Sequence, residues 1–267
     1  MNTCVLFKCH KQDEVTLTHL EKLRKESPYD VFAIYDATHK DGMSGAAWNF
    51  TLADYLESGY TLASQEQLSE LPSLPPDSQL IYYNPEIANL LFWKMTNTYD
   101  FYWAIEYDVW FNGCWSEFFD ICDRSASDLL CTYSQRFPGQ PFFPNLFYTY
   151  NFDVPDEMKR GMFGAVTRYS RKLMETLDRE YTAGKHAFYE AIVPTIAEMN
   201  ELIVTDINSI ANFFQYRTEK YFSGEFYHPS VFCGSPIYEN WKYMYKSTAW
   251  KNYLFHPVRE LFYKENG

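Results

Sequence analysis

Residues 3–36, TCVLFKCHKQDEVTLTHLEKLRKESPYDVFAIYD, contain the pattern from which the architecture follows. Apolar residues 3–7 predict a buried strand. Residues of about 13–26 predict an amphipathic helix, with Val15, Leu17, Leu20 and Leu23 on or near its apolar face. Residues 30–35 are apolar again and predict a second strand that ends at Asp36. Because a strand, a helix and a second strand follow one another so closely, we expect a βαβ unit and hence a parallel sheet with a right-handed crossover.

The same alternation continues along the chain. Residues 37–49 are typical of a polar, glycine-containing loop. Residues 134–161 are typical of a long irregular segment, which we predict to be a binding loop. Pro85 suits the first turn of a helix. The predicted helices lie at about 85–95, 115–123, 170–183 and 189–200, and the predicted strands at 100–105, 127–133, 162–167 and 202–205. We expect one α/β domain with a mixed, mostly parallel central sheet flanked by helices, and an aromatic-rich carboxyl-terminal extension.

The composition limits the classes of protein that the chain can represent. Its 267 residues are 46% apolar, which excludes a disordered chain, and the 11 Gly and 13 Pro exclude a collagen-like one. The 23 Lys and Arg against 35 Asp and Glu give a net charge of −12. Nucleic acid is therefore not an expected partner, because its many phosphates must be met by Lys and Arg.

The cysteine pattern and the lengths of the apolar runs indicate a cellular compartment for the protein. The six cysteines form no CxxC pair, which is typical of buried thiols in a reducing cytosol. The amino terminus has no basic region before a long apolar stretch, and no apolar run approaches the roughly 18–20 residues that span a bilayer. We expect a cytoplasmic protein without a transmembrane segment. Lysines and aromatic residues near 241–251 leave two alternatives, peripheral contact at the inner face of a membrane or a helix packed on the core.

The most informative residues for chemistry are Glu106-Tyr107-Asp108, which follow the strand predicted at 100–105. Carboxylates at positions i and i+2 of a strand point the same way, and open α/β sheets bind ligands at the carboxyl ends of their strands. Two hard oxygen ligands at such a place can hold Mg²⁺ or Mn²⁺, which in turn binds a diphosphate. The alternative is an ordinary solvated strand end. The P-loop, GxGxxG, HExxH and GxSxG motifs are absent from the sequence.

Five short segments of the sequence are informative through their order and spacing. They are Val5-Leu-Phe-Lys8-Cys-His10, Val31-Phe-Ala-Ile-Tyr-Asp36, Ile105-Glu-Tyr-Asp-Val109 with Gly113-Cys-Trp115, Glu190-Ala-Ile-Val-Pro-Thr195, and His256-Pro-Val-Arg259. In order and spacing they resemble the nucleotide-sugar glycosyltransferases of the GT-A fold, and more specifically a bacterial group of these enzymes. The resemblance spans nearly the whole chain.

The resemblance implies a GT-A-like (Rossmann-like) fold and a function. The expected enzyme moves a sugar from a nucleotide-diphosphate donor, with a uridine diphosphate sugar favoured by analogy, to a glycan or lipid-linked acceptor in bacterial surface polysaccharide synthesis. Residues 1–133 are then the nucleotide-sugar-binding half, residues 134–240 the acceptor-side half, and residues 241–267 the extension.

The resemblance also implies a metal site. Glu106 and Asp108 stand where this fold keeps its acidic DxD motif, with Asp108 as the direct ligand of Mn²⁺ or Mg²⁺. His256 stands where many such enzymes have a late histidine that closes the metal site. Glu in the first place departs from DxD, and this departure leaves strict metal dependence open.

Glu190 is the candidate general base, which takes the proton of an acceptor hydroxyl as that oxygen attacks the anomeric carbon in an inverting displacement. We expect it just before or within the first turn of the helix at 189–200. Pro194 would suit the same turn, because first-turn amides have no intrahelical partner. The alternative is a carboxylate that only favours the positive end of the helix.

Four residues are expected to bind the donor: Lys8, His10, Asp36 and Arg259. Lys8 and His10 follow the first strand, and Asp36 can accept a hydrogen bond from a base or ribose. Arg259 can bind a phosphate with its fork of donors. For each, an ordinary surface role is the alternative.

Trp110 and Trp115 lie next to the acidic motif and are candidates to stack on a sugar, with core packing as the alternative. Two other functions stay open at this point. One is a divalent-metal phosphohydrolase that uses the same carboxylates. The other is a non-catalytic sugar- or nucleotide-binding protein that kept the fold and lost turnover.

Overall fold

The structure, a computed structural model, describes residues 2–38, 41–45, 47–62, 84–137, 149–211, 252 and 254–256. The strands in these ranges are β1 (Thr3–Cys9), β2 (Asp30–Asp36), β3 (Ala47–Phe50), β4 (Phe101–Glu106), β5 (Trp110–Phe111), β6 (Leu129–Arg136), β7 (Arg160–Ser170), β8 (Val204–Asp206) and β9 (Leu254–Phe255). The helices are α1 (Glu14–Glu26), α2 (Leu52–Glu57), α3 (Pro85–Thr96), α4 (Trp115–Cys122), α5 (Arg171–Thr182), α6 (Tyr189–Met199) and α7 (Ile207–Ile210).

Seven strands form one central sheet in the order β3-β2-β1-β4-β7-β6-β8. Strand β1 pairs in parallel with β2 and with β4, and β2 pairs in parallel with β3. Strand β7 runs antiparallel to both of its neighbours, β4 and β6, while β8 is parallel to β6. Among these seven strands only β7 is reversed, so the predicted mixed, mostly parallel α/β sheet is confirmed.

The helices begin and end at residues whose chemistry explains the boundary. Asp13 and Ser170 cap α1 and α5, accepting hydrogen bonds from the backbone amide three residues later at 2.9 and 3.0 Å. Pro85 is the first residue of α3, where its missing N–H has no cost. Gly184, with a φ of 86°, follows the end of α5. These local signals set the boundaries of α1, α3 and α5. The helices predicted from the sequence are all confirmed.

Helices cover both faces of the sheet. Because side chains alternate along a strand, Leu6 and Ala104 face the layer of α3, α5 and α6, whereas Phe7 and Ile105 face the layer of α1 and α4. All four side chains are at most 1% exposed. The same alternation directs Lys8 of β1 and Glu106, the last residue of β4, toward the first of these layers.

Three local predictions are wrong. Residues 37–49 are not loop throughout, because Ala47–Phe50 pair with β2 as an edge strand. Leu17, expected on or near the buried face of α1, is 39% exposed. Pro194 is the sixth residue of α6 and lies in its second turn, because the helix begins at Tyr189.

The excursion expected at 134–161 is shorter than predicted, because β6 extends to Arg136 and β7 begins at Arg160. Its middle, residues 138–148, and the proposed membrane-contact residues 241–251 lie outside the described part of the chain. The division of the chain at residues 133 and 240 stays a prediction.

Candidate functional site

Glu106 is the last residue of β4, at the edge of the sheet where the parallel strands β1, β2 and β4 end. The strand register places it opposite Lys8 of β1, and Nζ of Lys8 lies 3.4 Å from Oε1 of Glu106. Paired residues of neighbouring parallel strands point to the same face, which explains this contact. The sheet itself therefore sets the position of the first carboxylate.

Asp108 is positioned by a turn and not by the strand. Strand β4 ends at Glu106, and the amide of Val109 donates a hydrogen bond to the Glu106 carbonyl at 3.1 Å. The i, i+2 alternation that we expected along a continuous strand therefore does not apply at Asp108. The turn nevertheless buries this carboxylate, which is 3% exposed.

His256 reaches the two carboxylates from the other end of the chain. Strand β9 pairs antiparallel with β5, and His256 follows directly. Its Nε2 lies 3.2 Å from Oε2 of Glu106 and 3.2 Å from Oδ1 of Asp108. One ligand atom from each of the three side chains lies within 4.8 Å of the others. The three residues predicted to share a site are therefore adjacent, and we call them the carboxylate–histidine cluster.

The charges in this cluster support one another. Burial alone would lower the pKa of His256, but the carboxylates of Asp108 and Glu106 outweigh it and raise that pKa well above its usual range. Burial raises the pKa of Glu106, but Lys8 and His256 more than offset it, so the carboxyl pKa is lowered. The positive charges of Lys8 and His256 thus balance the two carboxylates of the cluster.

Glu190 lies in the first turn of α6, as predicted, and is 3% exposed. Its Oε1 accepts a hydrogen bond from the backbone amide of Gly164 at 2.8 Å and another from the hydroxyl of Tyr189 at 3.2 Å. The same hydroxyl lies 3.4 Å from Oε1 of Glu106. The Tyr189 phenol therefore connects Glu190 to the carboxylate–histidine cluster.

The surroundings of Glu190 shift its pKa toward neutral pH. Burial raises its pKa to about 7, and the negative charge of Glu106 acts in the same direction, whereas the Gly164 amide and Tyr189 oppose it. Pro194 stands four residues further along α6 and has no N–H to donate to the Glu190 carbonyl. The first turn that carries Glu190 thus lacks one helical hydrogen bond.

The expected donor-binding residues differ in their placement. Lys8 lies at the cluster, through its contact with Glu106. The ring of His10 is exposed and meets the ring of Tyr107 edge-on at 4.6 Å. Oδ1 of Asp36 accepts hydrogen bonds from the amide and hydroxyl of Thr38 at 2.9 and 2.6 Å, within the loop after β2. Arg259 lies outside the described residues.

Trp110 and Trp115 are 8% and 2% exposed. The Trp115 ring stacks on Phe119 at 5.7 Å and has the core environment that was the alternative to sugar stacking. The Trp110 ring packs against His19 at 5.1 Å, with Nζ of Lys22 5.5 Å from its centroid. These contacts favour packing over stacking for both rings, and a direct role with a sugar stays a prediction.

Three residues of this region were not singled out from the sequence. Tyr189 had one signal, its position next to Glu190. His19 also had one, a polar residue between Val15 and Leu23 on the apolar stripe of α1. Gly164 had none, because its role depends on the approach of α6 to β7, which sequence spacing does not specify.

Comparison with known proteins identifies no family. No protein-family profile matches the chain, and no curated protein sequence matches it. Similar solved structures include 4-diphosphocytidyl-2C-methyl-D-erythritol synthase from Anaerococcus prevotii, with a TM-score of 0.42 and 8% identity over 77% of this chain and 86% of that one. An active-site mutant of LgtC has a TM-score of 0.39 and 10% identity over 76% and 72% of the two chains. The apo structure of the bifunctional glycosyltransferase WbbM has a TM-score of 0.40 and 10% identity over 74% of this chain and 37% of that one.

Similarity at this level carries no argument about the activity of the present chain, so the case for a function rests on its own residues. Within the described part of the chain, no helix is both long enough and apolar enough to cross a membrane.

Proposed function

We propose that this protein is a glycosyltransferase that moves a sugar from a nucleoside-diphosphate donor to a glycan or lipid-linked acceptor, in bacterial surface polysaccharide synthesis. The observation that carries the proposal is the convergence of Glu106, Asp108 and His256 at the carboxyl end of β4, with ligand atoms within 4.8 Å. The order of sequence motifs that resemble GT-A enzymes supports it. A uridine diphosphate sugar is the donor to test first.

The three clustered side chains suit a divalent cation. Two carboxylate oxygens and one imidazole nitrogen make a mixed donor set, and the oxygens are hard ligands of the kind that Mg²⁺ and Mn²⁺ take. Because an imidazole takes part, we favour Mn²⁺ over Mg²⁺. When bound, the ion would offset the negative charge that develops on the departing diphosphate.

Lys8 is the second source of positive charge in the proposal. Its ammonium group lies 3.4 Å from Glu106 and 5.6 Å from the centroid of the Tyr189 ring. The side chain is 12% exposed, so a phosphate that meets it is largely removed from water. Charge-assisted hydrogen bonds in such a setting are stronger than at an open surface.

Glu190 is the proposed general base. With Oε1 held by Gly164 and Tyr189, Oε2 would take the proton of the acceptor hydroxyl. The acceptor oxygen forms a bond to the anomeric carbon as the bond from that carbon to the diphosphate oxygen breaks. The products are the glycoside, the nucleoside diphosphate and a protonated Glu190. A base whose pKa is near the working pH serves this step well, and direct attack gives inversion.

The donor site is tested by calorimetric titration of nucleoside diphosphates, with and without Mn²⁺, into the wild type, Asp108→Ala and the control Asp120→Ala. Asp120 is an exposed acid of α4 that pairs with Arg124, just beyond the end of the helix. We expect Mn²⁺-dependent binding of one nucleotide by the wild type and the control, and its loss in Asp108→Ala. Absence of binding to every protein under all metal conditions contradicts the proposal.

Product analysis then separates the proposed activity from the alternatives. A new glycosidic bond supports the glycosyltransferase. Release of free phosphate supports a metal phosphohydrolase, and an unchanged ligand supports a binding protein without turnover. Flotation of the purified chain with anionic liposomes tests the proposed peripheral contact of residues 241–251, and absence of co-migration excludes it.

A further inference from the structure

Helix α1 presents three polar side chains to the backbone of the segment that follows β4. His19, Lys22 and Glu26 are spaced i, i+3 and i+7 and therefore lie on one face of the helix. Each contacts a main-chain group between residues 107 and 115. This segment contains Asp108 and strand β5, on which β9 and His256 depend.

His19 makes the contact closest to the carboxylates. Its Nδ1 lies 2.8 Å from the carbonyl oxygen of Tyr107, the residue between Glu106 and Asp108. A carbonyl only accepts, so Nδ1 carries the proton and donates. The ring is 3% exposed and packs on Trp110 at a centroid distance of 5.1 Å.

Lys22 and Glu26 hold the other end of the segment. Nζ of Lys22 donates to the Gly113 carbonyl at 2.8 Å and to Oε2 of Glu26 at 2.6 Å. Oε2 of Glu26 in turn accepts a hydrogen bond from the amide of Trp115 at 3.0 Å, at the first residue of α4. The segment is thus tied to one rigid helix at its beginning and at its end.

These ties act on two of the three clustered residues. The Tyr107 carbonyl belongs to the peptide unit that leads into Asp108, so rotation of this peptide plane would move the Asp108 carboxylate. Strand β5 ends two residues before Gly113, pairs with β9 and so sets where His256 stands. Asp108 and His256 both lie outside β4, which ends at Glu106.

We propose that His19 is a positioning residue of the metal site: its hydrogen bond to the Tyr107 carbonyl holds Asp108 in the orientation that binds the ion, with Lys22 and Glu26 anchoring the rest of the segment. The inference rests on the proposed function, since it requires that the carboxylate–histidine cluster binds a metal. Partners that hydrogen-bond the ligating side chains directly typically change metal affinity by 10–100-fold, and we expect the lower end of that range here because His19 acts on Asp108 through the main chain.

The test measures Mn²⁺ affinity by calorimetry for the wild type, His19→Leu, His19→Asn and the control Glu21→Gln. Glu21 is an exposed residue of α1. Leu removes the donor, whereas the amide of Asn places a donor near the position of Nδ1. We expect His19→Leu to bind Mn²⁺ about 10-fold more weakly. We expect His19→Asn to recover much of the loss and Glu21→Gln to bind as the wild type does. A general loss of packing would not be repaired by Asn, which is smaller than His.

The electron paramagnetic resonance spectrum of bound Mn²⁺ gives a second readout, because it responds to ligand orientation. We expect it to change in His19→Leu and to keep its wild-type form in His19→Asn. If His19→Leu does not fold, as judged by circular dichroism, His19→Gln replaces it, since Gln keeps an amide but moves it away from the Nδ1 position.

The two kinds of failure are distinct. Unchanged Mn²⁺ affinity and spectrum in a folded His19→Leu overturn the positioning role and leave the proposed function standing. Absence of Mn²⁺ binding by the wild type overturns the metal site of the proposed function, and the positioning role falls with it.

Discussion

Gly164 of β7 lies so close to Tyr189 of α6 that a methyl group on its Cα would stand 2.3 Å from Cε2 of the tyrosine and 2.7 Å from its hydroxyl oxygen. The same glycine donates its amide to Glu190 at 2.8 Å. Gly164 therefore leaves room for the Tyr189 ring and also holds the Glu190 carboxylate through its amide. Any side chain at position 164 forces Tyr189, and the hydroxyl that joins Glu190 to Glu106, to move.

Gly164→Ala tests this close approach. Overpacking a buried site costs roughly 1–3 kcal/mol, and we expect the free energy of unfolding to fall by an amount in that range. The cost should be smaller in a Tyr189→Ala background, because the clashing ring is absent. Urea unfolding of both single variants and the double variant gives the coupling energy. Strictly additive effects would show that the two residues do not compete for space.

The pH dependence of turnover tests Glu190 as the base. Burial and the charge of Glu106 raise its pKa to about 7, and the base must be ionised to accept a proton. We therefore expect kcat/KM, which reports ionisation of the free enzyme, to fall as the pH drops below about 7, about tenfold per pH unit once the acid form dominates. In Glu190→Gln, turnover should be lost while nucleoside-diphosphate binding remains. Retained turnover in this variant removes Glu190 from the mechanism.

The buried Glu86 should make stability depend on pH. It is 2% exposed, Tyr181 donates to its Oε1 at 2.8 Å, and burial raises its pKa to about 8 against the opposing effect of its hydrogen bonds and Lys8. The folded protein then holds a proton that the unfolded chain, with a carboxyl pKa of about 4.3, releases. The stabilising contribution of this proton is complete below about pH 4 and is lost as the pH rises to about 8.

Glu86→Gln provides the matching measurement. We expect the free energy of unfolding of the wild type to fall between pH 5 and pH 8 by up to about 1.4 kcal/mol per pH unit from this group. The glutamine variant should lose less over the same interval and be the more stable protein at pH 8. Identical pH dependence of the two proteins in urea unfolding would refute an ionisable role for Glu86.

Arg168 is a buried charged residue that we expect to contribute to the stability of the fold. Its side chain is fully buried, with NH1 donating to Asp123 at 2.9 Å and NH2 to the Ser125 carbonyl at 2.7 Å. The guanidinium also lies 4.3 Å from the centroid of the Phe101 ring. We expect Arg168→Met to destabilise the protein by about 3–5 kcal/mol, because Asp123 and several carbonyls lose their donor. Thermal unfolding of Arg168→Met and of the double variant with Asp123→Asn measures this, and we expect the second change to recover part of the loss.

Much of the fold follows from the sequence alone. The β1–α1–β2 unit, the first turn at Pro85 and the end of α5 at Gly184 are set by neighbouring residues, through apolar periodicity, caps and the conformational limits of proline and glycine. For the same reason the sequence predicted Glu106 at the end of a strand and Glu190 in the first turn of a helix. These are local properties, and local rules describe them.

The arrangement of the site is decided only by the tertiary structure. Asp108 lies in a turn that ends the strand, His256 arrives through the pairing of β9 with β5, and Gly164 meets Tyr189 because α6 packs on β7. The turn at Asp108 is local, but the contacts of His256 and of Gly164 join residues far apart in the chain, and residue spacing alone does not specify them because they depend on how whole elements pack. The sequence determined which side chains are available for chemistry, and packing of the sheet and helices decided which of them meet.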